Sequence, residues 1–286
     1  MTISIRTNVG SLQSQRQVAA SETAVVDSMR RISSGYRITR GADDAAGLAI
    51  SEKLAAKLLG YTQGIRNSND GISMVQIADG GLDALSNIVQ RVRELAVQAG
   101  NGTLAYADHK NIAAEMTALQ GEVDGITSRT KFNGVSLLGA AATVLLQTGA
   151  DSGNTLSFTL SNFDTAGALA SFANGISAYA NAGSAFRISA ATGSKGLLTV
   201  SDTALGYIND KRAGLGAIQN RLDYSIAFQS VATANLAQAN SRIKDADIAA
   251  ETANVSRNGM LLAAGLSVLA QANQSPQMAL RLLLGR

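Results

Sequence analysis

A strict heptad spacing of apolar residues is the strongest pattern in the chain. It favours left-handed supercoiling of a helix against a partner, because a period of 3.5 residues keeps one apolar stripe on one side. The spacing predicts a long packed helix whose stripe consists of Val75, Ala78, Leu82, Leu85, Val89, Val92, Ala96 and Ala99. A second helical stripe consists of Leu215, Ile218, Leu222 and Ile226.

Both ends of the sequence carry thinner stripes with the same seven-residue spacing. Their flanks are rich in Gln, Asn, Ser, Thr and Ala, so each end predicts a helix with little apolar surface to bury. We expect these helices to be disordered in the free monomer and to order when other copies surround them. The N-terminal stripe is Ile5, Leu12, Ala19 and Val26, and the C-terminal stripe is Ile248, Val255, Leu262 and Leu269.

Glycine and aspartate mark where the helices are expected to end and begin. The first helix should end at Gly35, since glycine favours the left-handed conformation of a helix C-cap. A second helix should begin near Asp43 or Asp44, because carboxylates suit the positive N-terminus of a helix. Further along, the sequence predicts a break at 99–103, a helix over about 104–129 and a turn region at 131–139.

In the middle of the chain the spacing of the apolar residues changes from a helical period to the alternation of a strand. Leu156, Phe158 and Leu160 alternate with polar residues, as on a half-buried strand, so 143–160 is predicted to be a β-hairpin. Residues 161–194 are rich in Ala, Ser and Gly and have a weak pattern, and helix is expected again from about 202. The predicted fold class is mainly α, with long antiparallel helices in coiled-coil or bundle domains and one small β-hairpin.

The composition supports long helices. The chain has one proline, Pro276, among 286 residues, and aromatic residues make up 4% with no tryptophan. Proline breaks helix interiors, and we expect Pro276 to interrupt the last helix.

The net charge of +3 is spread along the chain without a basic run, which argues against a nucleic-acid binder. There is no cysteine, the longest apolar run is too short to span a membrane, and the N-terminus lacks the apolar core of a secretory signal.

Residues that could carry catalysis have simpler interpretations. His109 is the only histidine, which excludes a two-histidine zinc motif, and we expect it on the surface. Asp43 and Asp44 are neighbours that point in different directions on a helix, so a helix-start role is expected. The segment "GADSGN" lacks the spacing of a phosphate or calcium loop and is predicted to be a hairpin turn. No catalytic, cofactor-binding or metal site is predicted, and no cofactor is expected.

Seven longer motifs resemble bacterial flagellins. They are "RISSGYRITRGADDAAGLAISEKL", "NDGISMVQIADGGL", "QRVRELAVQAGNGT", "TKFNGVSLL", "AGLGAIQNRLDYSI", "NLAQANSRIKDADIAAE" and "LAQANQSPQMALRLL", in the order in which the family has them. The resemblance covers residues 1–139 and 207–286, roughly three quarters of the chain. The ending "LRLLLGR" departs from the family, which commonly ends on leucine-leucine-arginine.

The resemblance implies a division into three parts and a set of packing residues. An inner coiled coil would comprise 1–33 with 241–286, a connecting spoke 34–45 with 232–240, and a helical outer domain 46–231, with no large inserted domain. The subunit-packing positions would be the two terminal stripes together with Leu280 and Leu283 of the C-terminal leucine cluster.

The resemblance also implies function and partners. The chain would be a structural subunit that polymerises into the extracellular flagellar filament for motility, after export in an unfolded state. Its partners would be other copies of itself, an export chaperone, and the cap and hook-junction proteins. A flagellin-sensing Toll-like receptor would contact Arg91, Leu95 and Glu115, which can equally serve packing between subunits. Neither nucleic acid nor membrane insertion is expected.

Two other functions are open at the level of sequence. A hook-associated junction protein shares the terminal architecture but would adapt or cap a filament rather than build it. Some flagellins carry proteolytic inserts built on zinc-binding histidines, and a single histidine without a sizeable insert argues against that here.

Overall fold

A computed structural model gives the fold of the protein. It describes residues 7–160, 162–164, 169–181 and 186–283, with the side chains of residues 142, 186–192 and 275–283 left undescribed. The helices are α1 (Val9–Ser34), α2 (Ala45–Ala99), α3 (Tyr106–Arg129), α4 (Ala170–Ala180), α5 (Phe186–Lys244) and α6 (Ile248–Leu283). The strands are β1 (Lys131–Phe132), β2 (Val135–Ser136), β3 (Ala142–Gln147) and β4 (Thr155–Leu160). The mainly α fold with a small antiparallel hairpin is therefore confirmed.

The chain divides into two compact units. Unit 1 comprises Met1–Ala56 and Ala234–Arg286, and unit 2 comprises Lys57–Thr233. The boundary between the units falls within α2 and α5. The three-part division into inner coiled coil, spoke and outer domain stays a prediction.

Unit 2 contains an extensive apolar core. The heptad stripe of α2 is buried along its whole length, from Val75 at 1% exposure to Ala99 at 2%. Leu215 and Leu222 of α5 are also buried. Arg212 joins α5 to α2 at the edge of this core, because its Nε lies 2.8 Å from Asp79 Oδ1. The apolar period thus located the core of unit 2 correctly.

The predicted hairpin is formed by β3 and β4. The strands pair antiparallel, with Val144 opposite Phe158, and β4 alternates between exposed and buried residues as its sequence predicted. Glycines on α2 let the hairpin approach closely. A Cβ on Gly64 would lie 3.0 Å from the carbonyl oxygen of Thr148. The Nδ2 of Asn67 donates to the carbonyl oxygen of Gln147 at 2.9 Å and ties the same two elements together.

The predicted turn region at 131–139 contains a second, shorter hairpin. Strands β1 and β2 pair antiparallel across Asn133 and Gly134, which adopt φ values of 48° and 82°. Two successive residues with positive φ are typical of a type I′ turn, which Asn-Gly favours.

The segment 161–194 is more helical than its weak pattern suggested. Helix α4 lies within it, and α5 begins at Phe186 rather than near 202. The buried face of α4 consists of Phe172, Ala173, Ile176 and Tyr179, with helical spacing in a segment otherwise rich in small residues. Eleven residues are too few for the period to stand out against the flanking Ala, Ser and Gly.

The prediction for His109 was wrong. Its side chain is 4% exposed, and its Nδ1 lies 2.9 Å from Tyr179 Oη. His109 lies on α3 at helical spacing with Ile112 and Met116, which are both buried, so it belongs to the inward face of that helix. Burial raises the pKa of the Tyr179 hydroxyl to about 12, which keeps this hydroxyl neutral.

The interruption expected at Pro276 is also absent, because α6 runs through this position to Leu283. A proline within a helix removes one backbone hydrogen bond and crowds the preceding turn, which can bend a helix without ending it.

Candidate assembly surface

Two aspartates shape the segment between α1 and α2 in unit 1. Asp44 Oδ1 accepts a hydrogen bond from the backbone N–H of Gly47 at 2.8 Å and caps α2, as the helix-start interpretation predicted. Asp43 Oδ2 instead accepts from the backbone N–H groups of Thr39 and Arg40. These hydrogen bonds, chiefly those from Thr39, lower the pKa of Asp43 to about 2. The two neighbouring carboxylates therefore have separate structural roles.

The same segment joins the end of α5 through the backbone. The N–H of Arg37 donates to the carbonyl oxygen of Lys244 at 2.7 Å, and the N–H of Ala246 donates to that of Gly35 at 2.9 Å. Gly35 adopts a φ of 73° and forms the left-handed C-cap of α1, as predicted. These bonds bring the start of α6 beside the end of α1.

Helices α1 and α6 then pack against each other along a heptad seam. On α1 the buried or half-buried seam positions are Ser11, Ser14, Val18, Ser21, Val25, Ser28 and Ile32. On α6 they are Glu251, Val255, Asn258, Leu262, Gly265, Leu269 and Ala272. The seam is rich in small and polar residues, and a Cβ on Gly265 would lie 2.9 Å from Val18 Cγ2. Close approach of two backbones is what such small residues allow.

The predicted packing residues divide between this seam and the exposed surface. Val255, Leu262 and Leu269 are half-buried in the seam. The side chains of Ile5, Leu280 and Leu283 lie outside the described residues. The exposed positions are Leu12 (48%), Ala19, Val26 (58%) and Ile248 (46%).

The exposed N-terminal stripe differs from the seam by one position. Leu12, Ala19 and Val26 each follow a seam residue, so they point away from the contact with α6. Exposed apolar residues on α6 include Met260 (68%) and Val268 (54%). Among the described residues of unit 1, Ile38 alone is a buried hydrophobic residue. Unit 1 therefore keeps most of its apolar side chains accessible.

The three residues of the predicted receptor contact have different surroundings in unit 2. Arg91 and Glu115 are exposed and form an ion pair, with 2.8 Å between Arg91 Nη2 and Glu115 Oε1. The hydrogen bond to Glu115 is the largest cause that raises the pKa of Arg91. Leu95 is only 2% exposed, because it lies three residues after Val92 on the inward face of α2. Arg91 and Glu115 are thus the two members that a partner could reach.

The described parts of the chain contain neither a helix long and apolar enough to cross a membrane nor a cluster of three metal-binding side chains. What they do contain is a pair of long helices with a polar seam and an outward-facing apolar stripe. This arrangement defines a helical structural protein that acts through association.

Comparison with known proteins identifies the family. Residues 5–143 match the bacterial flagellin N-terminal helical region, and residues 198–283 match the bacterial flagellin C-terminal helical region. A flagellin of Bacillus subtilis is 38% identical over 98% of this chain and 99% of its own. A flagellin of Halalkalibacterium halodurans is 39% identical with the same coverage. The chain belongs to the bacterial flagellin family.

Membership of this family gives the function at a coarse level. The protein is a structural subunit of the flagellar filament that polymerises with copies of itself, and it is not an enzyme. Its fold also resembles a Vibrio parahaemolyticus protein assigned to the flagellar hook-associated class. The TM-score is 0.59 at 12% identity, over 71% of this chain and 100% of that one. This likeness shows the fold alone and does not favour the hook-associated alternative.

Proposed function

We propose that this subunit assembles by burying the exposed stripe of α1 and the C-terminal residues of α6 against neighbouring copies. The observation that carries the proposal is the contrast between the two units. Unit 1 has a single buried hydrophobic residue among those described, Ile38, whereas Leu12 and Val26 are about half exposed. Each aliphatic side chain removed from water contributes roughly 1.5–3 kcal/mol. Contacts with neighbouring copies therefore supply the burial of apolar surface that unit 1 lacks.

Within the filament, we assign residues 1–33 and 241–286 to an inner coiled coil. Residues 34–45 and 232–240 form the spoke, and residues 46–231 form the outer domain. The polar seam between α1 and α6 stabilises the pair weakly, because ordering each residue costs about 1–2 kcal/mol in backbone entropy. The terminal helices are therefore disordered in the free subunit and order on assembly. Hydrogen exchange tests this: α1 and α6 should exchange rapidly in the monomer and slowly in the filament.

A charge on the exposed stripe tests the packing role. Val26→Lys places an ammonium in the proposed interface, and Gln17→Lys places the same charge at an exposed position on another side of α1. Electron microscopy and sedimentation of the purified proteins should show filaments for Gln17→Lys and monomers for Val26→Lys. Normal filaments from Val26→Lys would overturn the proposed interface.

The remaining partners follow from the same role. The subunit is secreted by the flagellar export apparatus in an unfolded state, and an export chaperone holds its C-terminal segment beforehand. In the filament it meets the cap and hook-junction proteins. Copurification from cells that express a truncation lacking residues 270–286 tests the chaperone contact, which should be lost. Retention of the chaperone would place the contact elsewhere.

A flagellin-sensing Toll-like receptor is a further partner, through Arg91 and Glu115. The two side chains are exposed and paired on the α2 and α3 surface of unit 2. Arg91→Ala should weaken receptor activation by monomeric protein more than Arg93→Ala, since Arg93 is a similarly exposed arginine paired with Asp202. Equal responses from the two variants would exclude Arg91 as a specific contact.

A further inference from the structure

The ends of the α1–α6 seam differ from its middle in the kind of contact they make. At one end, Arg31 Nη1 lies 3.1 Å from Glu251 Oε1, and Glu251 is only 8% exposed. At the other end, Ser11 Oγ donates to Asn273 Oδ1 at 2.8 Å, and Asn8 Nδ2 donates to the carbonyl oxygen of Ala272 at 2.8 Å. Among the described residues, Arg31–Glu251 is the one ion pair that joins α1 to α6.

The serine and aliphatic positions of the seam define the register of the two helices poorly. A slide of one heptad, about 10.5 Å at 1.5 Å per residue, moves each seam residue to the place of the next one seven positions away. At three of the four sets of positions the residues exchanged in this way are nearly alike: Ser14, Ser21 and Ser28; Val18, Val25 and Ile32; Val255, Leu262 and Leu269. The fourth set, Glu251, Asn258, Gly265 and Ala272, is not alike, and it includes the carboxylate of the ion pair and the glycine that contacts Val18. Packing of the aliphatic residues therefore distinguishes the observed register only weakly from a slipped one.

The ion pair distinguishes the two registers strongly. A slip of one heptad separates Arg31 from Glu251 and leaves a buried carboxylate without its cation, which is strongly unfavourable. Burial would by itself raise the pKa of Glu251, but hydrogen bonds from Ser28 and Arg31 outweigh burial and lower it. Glu251 is therefore charged in the observed register. Single buried polar groups are known to fix register in coiled coils at a cost in stability.

We propose that Arg31 and Glu251 are register-determining residues of the α1–α6 pair, acting beside the backbone hydrogen bonds between residues 35–37 and 244–246 and the close contact of Gly265 with Val18. By fixing the axial position of one helix against the other, they set where the exposed stripe of α1 stands relative to the exposed apolar residues of α6. The inference concerns pairing within one chain and goes beyond the proposed packing between copies. It does not depend on which surfaces those copies use.

The absence of cysteine from the chain allows register to be measured directly. In full-length protein under assembly conditions, Ser11→Cys with Asn273→Cys reports the observed register, because these side chains are in contact. Two further pairs report a slip of one heptad. Ser11→Cys combined with Leu266→Cys reports a slip in one direction, and Val18→Cys combined with Asn273→Cys reports a slip in the other. The first pair also removes the hydrogen bond between Ser11 and Asn273, which leaves register more dependent on Arg31 and Glu251.

We expect oxidation to cross-link the native-register pair at least tenfold more than either slipped pair. Arg31→Glu should lower this preference measurably, and Arg31→Glu combined with Glu251→Arg should restore it. Arg16→Glu is the control, since it changes the same charge at an exposed position of α1 and should keep the preference. If the cross-linking preference recovers in the charge-swapped protein, its decrease in Arg31→Glu is due to a change of register and not to a general loss of folding.

Three results would overturn the inference: an unchanged preference in Arg31→Glu, no recovery in the charge-swapped protein, or equal cross-linking of all pairs in the unaltered background. Micrographs of the same samples report filament formation independently. A native cross-linking preference without filaments would count against the proposed assembly surface while leaving the register role intact.

Discussion

Gly265 faces Val18 across the α1–α6 seam with no room for a side chain, since a Cβ on Gly265 would lie 2.9 Å from Val18 Cγ2. Gly265→Leu should therefore force the helices apart and abolish filament formation, because overpacking a close contact costs about 1–3 kcal/mol. Sedimentation of the purified variant measures the effect.

Gly259 provides the matched control on the same helix. A Cβ at Gly259 has no atom within 4 Å, and replacing a helical glycine by alanine stabilises a helix by roughly 1 kcal/mol. Gly259→Ala should form filaments at least as readily as the unaltered chain. Filament formation by Gly265→Leu at the same level would contradict the close-packed seam.

The hairpin of unit 2 depends on a second close approach. A Cβ at Gly64 would clash with Gln229 Oε1 and lie 3.0 Å from the carbonyl oxygen of Thr148, and the backbone at Thr148 cannot move without displacing β3. Gly64→Ala should lower the free energy of unfolding of unit 2 by about 1–3 kcal/mol. Gly80→Ala, with open space around its Cβ, should raise it or leave it unchanged. Urea denaturation followed by circular dichroism distinguishes the two.

The heptad stripe of α2 should behave as a true core. Leu85 is fully buried, so Leu85→Ala should destabilise unit 2 by about 2–5 kcal/mol. Leu59 on the same helix is 70% exposed, and Leu59→Ala should cost less than about 0.5 kcal/mol. Thermal unfolding of both variants checks the difference, and comparable losses would show that the stripe is not the main source of stability.

The contacts of Glu251 predict a pH dependence. Its pKa is lowered in the folded state, so the contribution of its charged form is fully present above the ordinary value of 4.5. That contribution is lost as the pH falls through the lowered folded-state value. Glu251→Gln should therefore weaken filaments at neutral pH, and the difference from the unaltered chain should vanish in acid. Turbidity measured across the acid range tests this, and a difference that persists in acid would exclude Glu251 as its source.

Periodicity predicted most of unit 2 from the sequence. The α2 stripe and the alternation in β4 bury residues such as Leu85 and Phe158, whose apolar character makes the period visible. Helix α4 was missed because its short apolar face lies among small residues. The sequence wrongly predicted His109 to be exposed, because polar character alone favours the surface. Its position on the inward face of α3 buries it instead.

The α1–α6 seam was harder to predict, for a physical reason. Ser11, Ser21 and Ser28 are among its most buried positions, and serine gives no apolar signal in a sequence. The visible stripe of Leu12, Ala19 and Val26 lies one position away, on the exposed side of α1. On α6 the apolar pattern coincides with the seam at Val255, Leu262 and Leu269, whereas on α1 it coincides with the exposed side, and the serine seam of α1 required the structure.

Seeded growth of filament fragments tests the central claim most directly. Purified subunits added to short fragments should extend them continuously in proportion to subunit concentration, whereas Val26→Lys subunits should not add and Gln17→Lys subunits should. Growth that stops after one layer would indicate a junction protein. Continuous growth by Val26→Lys at the normal rate would contradict assembly through the exposed stripe of α1.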